Sequence, residues 1–399
     1  MANCDMRGPG FDRPGRGLVN VPVAFYTAAM HQAVSTPQDR DRARGRGTAL
    51  NPEGRFERHA RVAEDDGWGG PEAGDDGPDD DLPAVRTEVS VERPRRVIVR
   101  NDSPDIGFDR SLNPYRGCEH GCIYCFARPG HGYLGMSAGL DFERRLIARP
   151  DAPAVLAAEL SRKGYAPAPL ALGTNTDPYQ PIDRDRAIAR GVLEVLRDFR
   201  HPVTVATKGS LVERDADILS DMAALGLASV GVSVTTLDPD LARRLEPRVP
   251  SPRRRLATIE RLSRAGVPVR VMVSPIIPGL TDAEVERILQ AARDAGAVAA
   301  SWVMLRLPHE VAPLFDDWLV QHAPGRRDKV LARLREMHGG KLYSADWGHR
   351  MTGAGPHATL IAKRFDMAAG RLGLVRRMPP LRCDLFRVPP RPGDQLSLF

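Results

Sequence analysis

The stretch from Asn113 to Pro129, NPYRGCEHGCIYCFARP, holds three of the chain's five cysteines, Cys118, Cys122 and Cys125, spaced C-x3-C-x2-C. Cysteine thiolates hold iron–sulfur clusters, and a four-iron cube bound by three of them keeps one iron open for a ligand. Gly117 and Gly121 stand just before the first two cysteines, where freedom from a Cβ lets the backbone wrap tightly around a bulky group. Two other readings fit the same residues: a zinc site completed by His120 or His131, or three unpaired structural thiols. Zinc sites more often show paired C-x2-C units and four ligands, which favours the cluster. Tyr124 places an aromatic ring directly before the last cysteine.

Elements of regular length must position this loop. Short apolar, β-branched runs predict strands at Val97 to Val99, Ser111 to Arg116, Pro169 to Leu172, Pro202 to Thr207, Ser229 to Thr235, Pro268 to Ser274 and Ala299 to Leu305. Helix-sized segments lie between them, at Pro153 to Lys163, Arg184 to Arg197, Arg214 to Leu225, Pro252 to Ala265 and Asp282 to Ala295. Alternation of continuous apolar strands with helices predicts an α/β fold, a parallel sheet covered by helices, with functional groups on the loops that follow the strands. Beyond Pro308 the pattern turns helical, through Leu314 to His322 and Asp328 to Met337, and predicts a cap over the open side of the sheet.

The cysteine loop and the wider stretch NDSPDIGFDRSLNPYRGCEHGCIYCFARPGHGYLG resemble the radical S-adenosylmethionine superfamily, in the branch related to spore photoproduct lyase. The resemblance runs over roughly residues 44 to 399 and begins near RGRGTALNPEGRFE. It implies a partial (β/α)6 barrel with the loop at the C-terminal end of the first strand. It also implies a [4Fe–4S] cluster on Cys118, Cys122 and Cys125, with S-adenosylmethionine chelated by the open iron. One-electron reduction would then release a 5′-deoxyadenosyl radical that abstracts hydrogen from a substrate. The electron donor is not identified by the sequence.

On the resemblance, Tyr124 sits against the cofactor, and Thr176 and Asp177 in GTNTDPYQP face its amino group. Lys208 in ATKGS faces its carboxylate, Ser233 and Thr235 in SVGVSVTT face its ribose or carboxylate, and Ile277 and Pro278 pack on its adenine. Without the resemblance these are an Asx turn, a turn lysine, strand hydroxyls and a strand end. Spore photoproduct lyase uses a cysteine soon after its cluster loop as hydrogen donor. This chain has none there, and Cys383 is a weak substitute. Tyr343, His349 and Arg350 are further substrate contacts to consider.

The formal net charge is +6, yet Ala63 to Leu82 holds nine acidic residues and no basic one, so the rest of the chain is strongly basic. Such a body suits a polyanion such as nucleic acid, or reflects a compositional bias with no partner. Arg248, Arg253, Arg254 and Arg255 gather before a predicted helix and read first as a solvated helix face, with a phosphate site as the alternative. The last five residues, Gln395-Leu396-Ser397-Leu398-Phe399, resemble the peptide that bacterial DNA-processing proteins insert into the polymerase sliding clamp, and they follow the proline-rich RVPPRPGD.

The domain expectation is therefore a largely disordered region with an acidic linker over 1–83, a barrel over 84–308, a helical extension over 309–386, and an extended tail over 387–399. No apolar run is long enough to cross a bilayer and no secretory signal is evident, so the expected location is cytoplasmic. The function expected is radical chemistry on a nucleic acid lesion or modification. The alternatives are a protein or small-molecule substrate, or a zinc-containing protein that only docks on the clamp.

Overall fold

The computed structural model describes residues 40, 43–56 and 85–390. Strands are β1 Glu88–Val91, β2 Val99–Arg100, β3 Arg110–Leu112, β4 Tyr115–Arg116, β5 Arg145–Ala148, β6 Leu170–Leu172, β7 Val203–Thr207, β8 Ala228–Ser233, β9 Val269–Ile276 and β10 Ala299–Met304. The longer helices are α1 Ala152–Leu160, α2 Ile188–Asp198, α3 Ala216–Ala224, α4 Pro239–Leu245, α5 Pro252–Arg264, α6 Val285–Asp294, α7 Val311–His322, α8 Pro324–Met337 and α9 Pro356–Arg371.

The main sheet runs β10-β9-β8-β7-β6-β3-β2. Strand β2 is antiparallel to β3, whereas every other neighbouring pair is parallel. Strands β3 and β6 to β10 thus form the six parallel staves of a partial (β/α)6 barrel. Helix α2 shows why the crossovers pack as they do: Ile188, Val192 and Leu196 recur every fourth residue, and all are buried against the sheet. Strand β8 is buried on both faces, so its sequence is an unbroken small-and-apolar run. A Cβ at Gly231 in β8 would lie 2.9 Å from the Met272 sulfur on β9.

The expected strand over Ser111 to Arg116 is two pieces, because Asn113 and Pro114 turn the chain out of the main sheet after β3. Strand β4 then joins β5 in a separate three-stranded sheet with β1. The expected helix from Arg184 is also broken, at Ala187, whose φ of 50° interrupts it before α2.

Beyond β10 the chain is helical, as its sequence implies, and it protects the sheet edge. Ala300 donates its N–H to the Val375 carbonyl at 3.0 Å, and Val375 donates to Val298 at 3.1 Å. An uncovered edge strand would offer these groups to another chain. The segment 43–56, which its composition leaves outside the folded unit and only the resemblance includes, packs on the body. Within the region expected to be largely disordered, residues 43–56 form this packed segment; residues 1–39, 41–42 and 57–83, with Cys4 among them, and the peptide 395–399 lie outside the described residues.

Candidate active site

The cysteine loop follows β4 at the C-terminal end of the first barrel stave. Gly117 and Gly121 have φ of 74° and 65°, and both approach their surroundings closely. A Cβ at Gly117 would lie 2.9 Å from the Phe142 carbonyl oxygen, and one at Gly121 would lie 2.6 Å from a Glu143 carboxylate oxygen. The loop is held from inside by Arg128, whose side chain is fully buried. Its guanidinium donates to the Cys122 carbonyl at 3.1 and 3.0 Å, to Gly139 at 3.0 Å, and to Glu143 Oε1 at 2.5 Å. Glu143 Oε2 accepts from Gly47 N at 2.8 Å, which brings the N-terminal segment onto the loop. Gly47 has no room for a side chain, because a Cβ there would fall 1.8 Å from the Gly121 oxygen.

Cys118 and Cys122 are buried, and Cys125 packs against the apolar clusters that contain each of them. Burial pushes the Cys122 thiol well above its ordinary range and the Cys125 thiol up to about 11. Thiols in such a setting become thiolates when metal replaces the proton. Among the described residues, no three His, Cys, Asp or Glu side chains converge closely enough to chelate one ion. His131 directs Nε2 at the Arg145 carbonyl, 3.0 Å away, and His120 directs Nδ1 at Asp177, 3.3 Å away. A soft set of three thiols suits zinc or an iron–sulfur cluster.

The strand ends of β7, β8 and β9 bring together most of the polar residues singled out by sequence. Lys208 Nζ donates to Ser233 Oγ at 2.5 Å and to the Ser274 carbonyl at 3.0 Å, and lies 3.4 Å from Glu246 Oε1. Thr235 donates its hydroxyl to Glu246 at 2.7 Å, and the Tyr124 hydroxyl bonds to the same carboxylate. Lys208 also sits 5.8 Å from the centre of the Tyr124 ring. Glu246, at the end of α4, is thus the hub, and Arg255 on α5 pairs with its other oxygen at 2.7 Å. Burial alone would push the Glu246 carboxyl up, but Arg255 and Lys208 outweigh it and hold it at about 2.

Thr176 and Asp177 are engaged differently. Thr176 donates its hydroxyl to the Tyr115 carbonyl at 2.8 Å. Asp177 accepts from Tyr179 N at 2.9 Å, Thr207 Oγ1 at 2.6 Å and Lys208 N at 2.7 Å, with His120 as a fourth neighbour. The pair therefore ties the cysteine loop to the end of β7. Burial opposes a charge on His120, yet Asp177 and Cys118 raise it to about 10. Ile277 is fully buried in the apolar cluster that holds Cys122 and Tyr124, and Pro278 beside it is buried as well.

Neither a phosphate site nor a wholly solvated helix face describes the four arginines. Arg255 is inside the protein with Glu246, and Arg254 pairs bidentately with Glu213 at 2.5 and 2.8 Å. Arg248 pairs with Glu119 at 3.1 Å, leaving Arg253 alone of the four exposed. Cys383 is also placed away from the loop, because its neighbour Arg382 bonds to Gly226, before the start of β8. Sequence reasoning missed Glu246, Arg128, Glu143 and Gly47.

A cavity of about 460 Å³ opens beside the cysteine loop, lined by Phe126, Asn113, Asn175, Thr176, Arg306 and Arg350 among others. Arg350 pairs with Asp105 at 2.5 Å, and Tyr343 lies 5.9 Å from the Arg306 guanidinium. His349 is exposed. No described helix is long and apolar enough to cross a membrane.

A parallel barrel stave that ends in a three-cysteine loop, facing a lysine and hydroxyls on later strand ends, defines a partial-barrel enzyme of the cysteine-cluster type. The Radical SAM superfamily model matches residues 112–292. An uncharacterized protein of Mycobacterium tuberculosis (strain ATCC 25618 / H37Rv) is 36% identical over 233 residues, which cover 58% of this chain and 67% of that protein. One from Methanocaldococcus jannaschii is 27% identical over 176 residues, 43% of this chain and 62% of its own length. Among solved structures, spore photoproduct lyase complexed with dinucleoside spore photoproduct aligns with a TM-score of 0.53 and 14% identity, covering 72% of this chain and 81% of that one. A variant of that enzyme with bound AdoMet and the same dinucleoside aligns with a TM-score of 0.53 and 14% identity over 72% of this chain and 80% of the other. The chain belongs to the radical SAM superfamily, and its fold is that of spore photoproduct lyase.

Proposed function

We propose that this protein is a radical S-adenosylmethionine enzyme acting on a nucleic acid lesion or modification, with a [4Fe–4S] cluster on Cys118, Cys122 and Cys125. The observation that carries the proposal is the cysteine loop itself, locked by the buried Arg128–Glu143 pair at the strand end and opening on a cavity lined by cations and amides. When bound, the cluster and cofactor supply one-electron cleavage of the sulfonium and a carbon-centred radical for hydrogen abstraction. The protein's own groups do the rest. Lys208 offers charge and N–H donors for the cofactor carboxylate, exchanging a present acceptor for it, while Ser233 and Thr235 orient the ammonium. Glu246 and Arg255 hold Lys208, Tyr124 and Thr235 in one arrangement before the ligand arrives.

Nucleic acid is favoured as substrate by the aromatic and amide lining of the cavity and by the dinucleoside bound in the structurally similar lyase. The clamp-like peptide at Gln395, Leu396, Ser397, Leu398 and Phe399 would bring such an enzyme to DNA under replication or repair. An external reductant must supply the electron.

The test is anaerobic reconstitution with iron and sulfide, dithionite reduction with S-adenosylmethionine, and chromatographic assay of 5′-deoxyadenosine. Formation of that product by the wild type, and its loss in Cys122→Ala with an unchanged far-ultraviolet circular dichroism spectrum, is the expected result. Retained cleavage in Cys122→Ala, or tight zinc binding with no cluster, overturns it.

A further inference from the structure

Four arginines line the cavity beside the cysteine loop: Arg116, Arg149, Arg306 and Arg350. Three have carboxylate partners. Arg116 bonds to Glu92 at 2.9 and 3.1 Å, Arg149 to the same carboxylate at 3.1 Å, and Arg350 to Asp105 at 2.5 Å. Arg306 has no carboxylate at ion-pair distance among the described residues. Its guanidinium carbon lies 4.8 Å from the centre of the Phe126 ring and 5.9 Å from that of Tyr343. One terminal nitrogen reaches only the Met351 sulfur, at 3.2 Å, a weak acceptor. Its Nε is buried with no acceptor at all.

A sealed Nε without an acceptor is costly even on a half-buried arginine, and native proteins seldom tolerate one without a function or an absent partner. Asp105 is the acid whose charge Arg306 feels, but its oxygens are taken by Gly348 N at 2.7 Å and by Arg350. Position adds to the case. Arg306 follows β10 on the same rim of the barrel as the cysteine loop, and the ring beneath it, Phe126, is the residue next to Cys125.

We propose that Arg306 is the substrate anchor of this site, binding an anionic oxygen of the substrate next to the reacting centre. Resting on the nucleic acid function proposed above, that oxygen belongs to the phosphodiester flanking the target nucleotide. The planar fork of arginine suits two phosphate oxygens at once. The aromatic ring beneath it fixes the plane of the fork, and the Asn175 side chain on the cavity wall remains for a base edge, whereas Asn113 Oδ1 already accepts from the Asn175 and Thr176 N–H groups at 2.9 and 3.3 Å.

The test uses full-length, anaerobically reconstituted protein and a fluorescein-labelled hexathymidylate, followed by anisotropy across a range of salt concentrations. Arg306→Gln should weaken binding about tenfold or more and reduce the log–log salt slope by about 0.7, the value for one single-strand phosphate. Arg306→Lys, which keeps the charge but loses the fork, should keep the slope and lose part of the affinity. A hexamer with one central methylphosphonate should bind the wild type more weakly and Arg306→Gln no more weakly than the normal hexamer. Thermal melting of each variant separates a folding defect from a binding defect. If the wild type binds and Arg306→Gln keeps both affinity and slope, the anchor is overturned while the nucleic acid function stands. If the wild type does not bind the hexamer, the nucleic acid function fails and takes the anchor with it.

Discussion

Lys208 Nζ lies 3.4 Å from Glu246 Oε1, and both groups are withdrawn from solvent at the ends of β7 and α4. The ammonium is therefore neutralised from inside the barrel, and its direction is set by a carboxylate that is itself anchored by Arg255. Glu246→Gln should remove the charge that compensates Arg255 and Lys208 and cost about 3–5 kcal/mol of stability, the usual range for breaking a buried pair. Denaturant unfolding at neutral pH measures this directly.

The same carboxyl makes a pH prediction. Its folded value of about 2 lies below the ordinary 4.5, so it binds a proton more readily in the unfolded chain. Its contribution to stability is complete above about pH 4.5 and is lost as pH falls towards 2. Wild-type stability should drop through that window more steeply than that of Glu246→Gln, in unfolding curves taken from pH 5 to 2.5. Parallel curves would show that Glu246 carries no such linkage.

Lys208→Ala should weaken S-adenosylmethionine binding by about tenfold or more, since hydrogen bonds to charged groups contribute about 1.5–3 kcal/mol. Isothermal titration with the reconstituted protein reads the dissociation constant, and an unchanged value would remove Lys208 from the cofactor site.

The barrel was legible because its strands are short, β-branched and apolar on at least one face and its helices repeat apolar residues every third and fourth position, signals that are local in sequence. Lys208, Ser233 and Thr235 could be placed together for a related reason, since each stands at the end of a recognisable strand, while a role towards the cofactor is what the resemblance implies. Glu246 was not. In LEPRVPSPRRR it reads as one charge at a helix end, and its burial depends on contacts with Tyr124, Lys208 and Arg255 that converge only after folding. Arg255 was misread for the matching reason. A run of arginines looks like a solvated helix face or a phosphate site until one of them is found turned inward onto a carboxylate. Gly47 sits 96 positions from Glu143, and no periodicity links a glycine in a basic, irregular segment to the wall of a cysteine loop.

Gly47→Ala should damage that wall. The new methyl group would collide with the Gly121 backbone oxygen, which is part of the loop and cannot swing aside as a side-chain end could. Either the segment 43–56 lifts, losing the Gly47-to-Glu143 bond, or the loop shifts and the thiols move. Both outcomes should lower iron and sulfide bound per chain after reconstitution, whereas Gly107→Ala, with open space around its Cβ and no left-handed backbone to strain, should retain more iron. Equal iron content in the two variants would separate the N-terminal segment from the cluster loop.

The terminal peptide can be tested apart from the chemistry. Arg382 and Arg387 bond to Gly226 and Phe199 at 3.0 Å each, so the last described stretch is fixed at the end of the barrel where strands begin, away from the cysteine loop. Docking through Gln395 to Phe399 would then leave the cavity accessible. Apolar side chains at Leu396, Leu398 and Phe399 should supply the affinity and Gln395 the direction. Deletion of these five residues should abolish capture by immobilised sliding clamp, and Leu398→Ala with Phe399→Ala should do so without shortening the chain. Equal capture of the full-length and truncated proteins would end the tether, and capture that survives only the double substitution would place the contact in the peptide's backbone rather than its side chains.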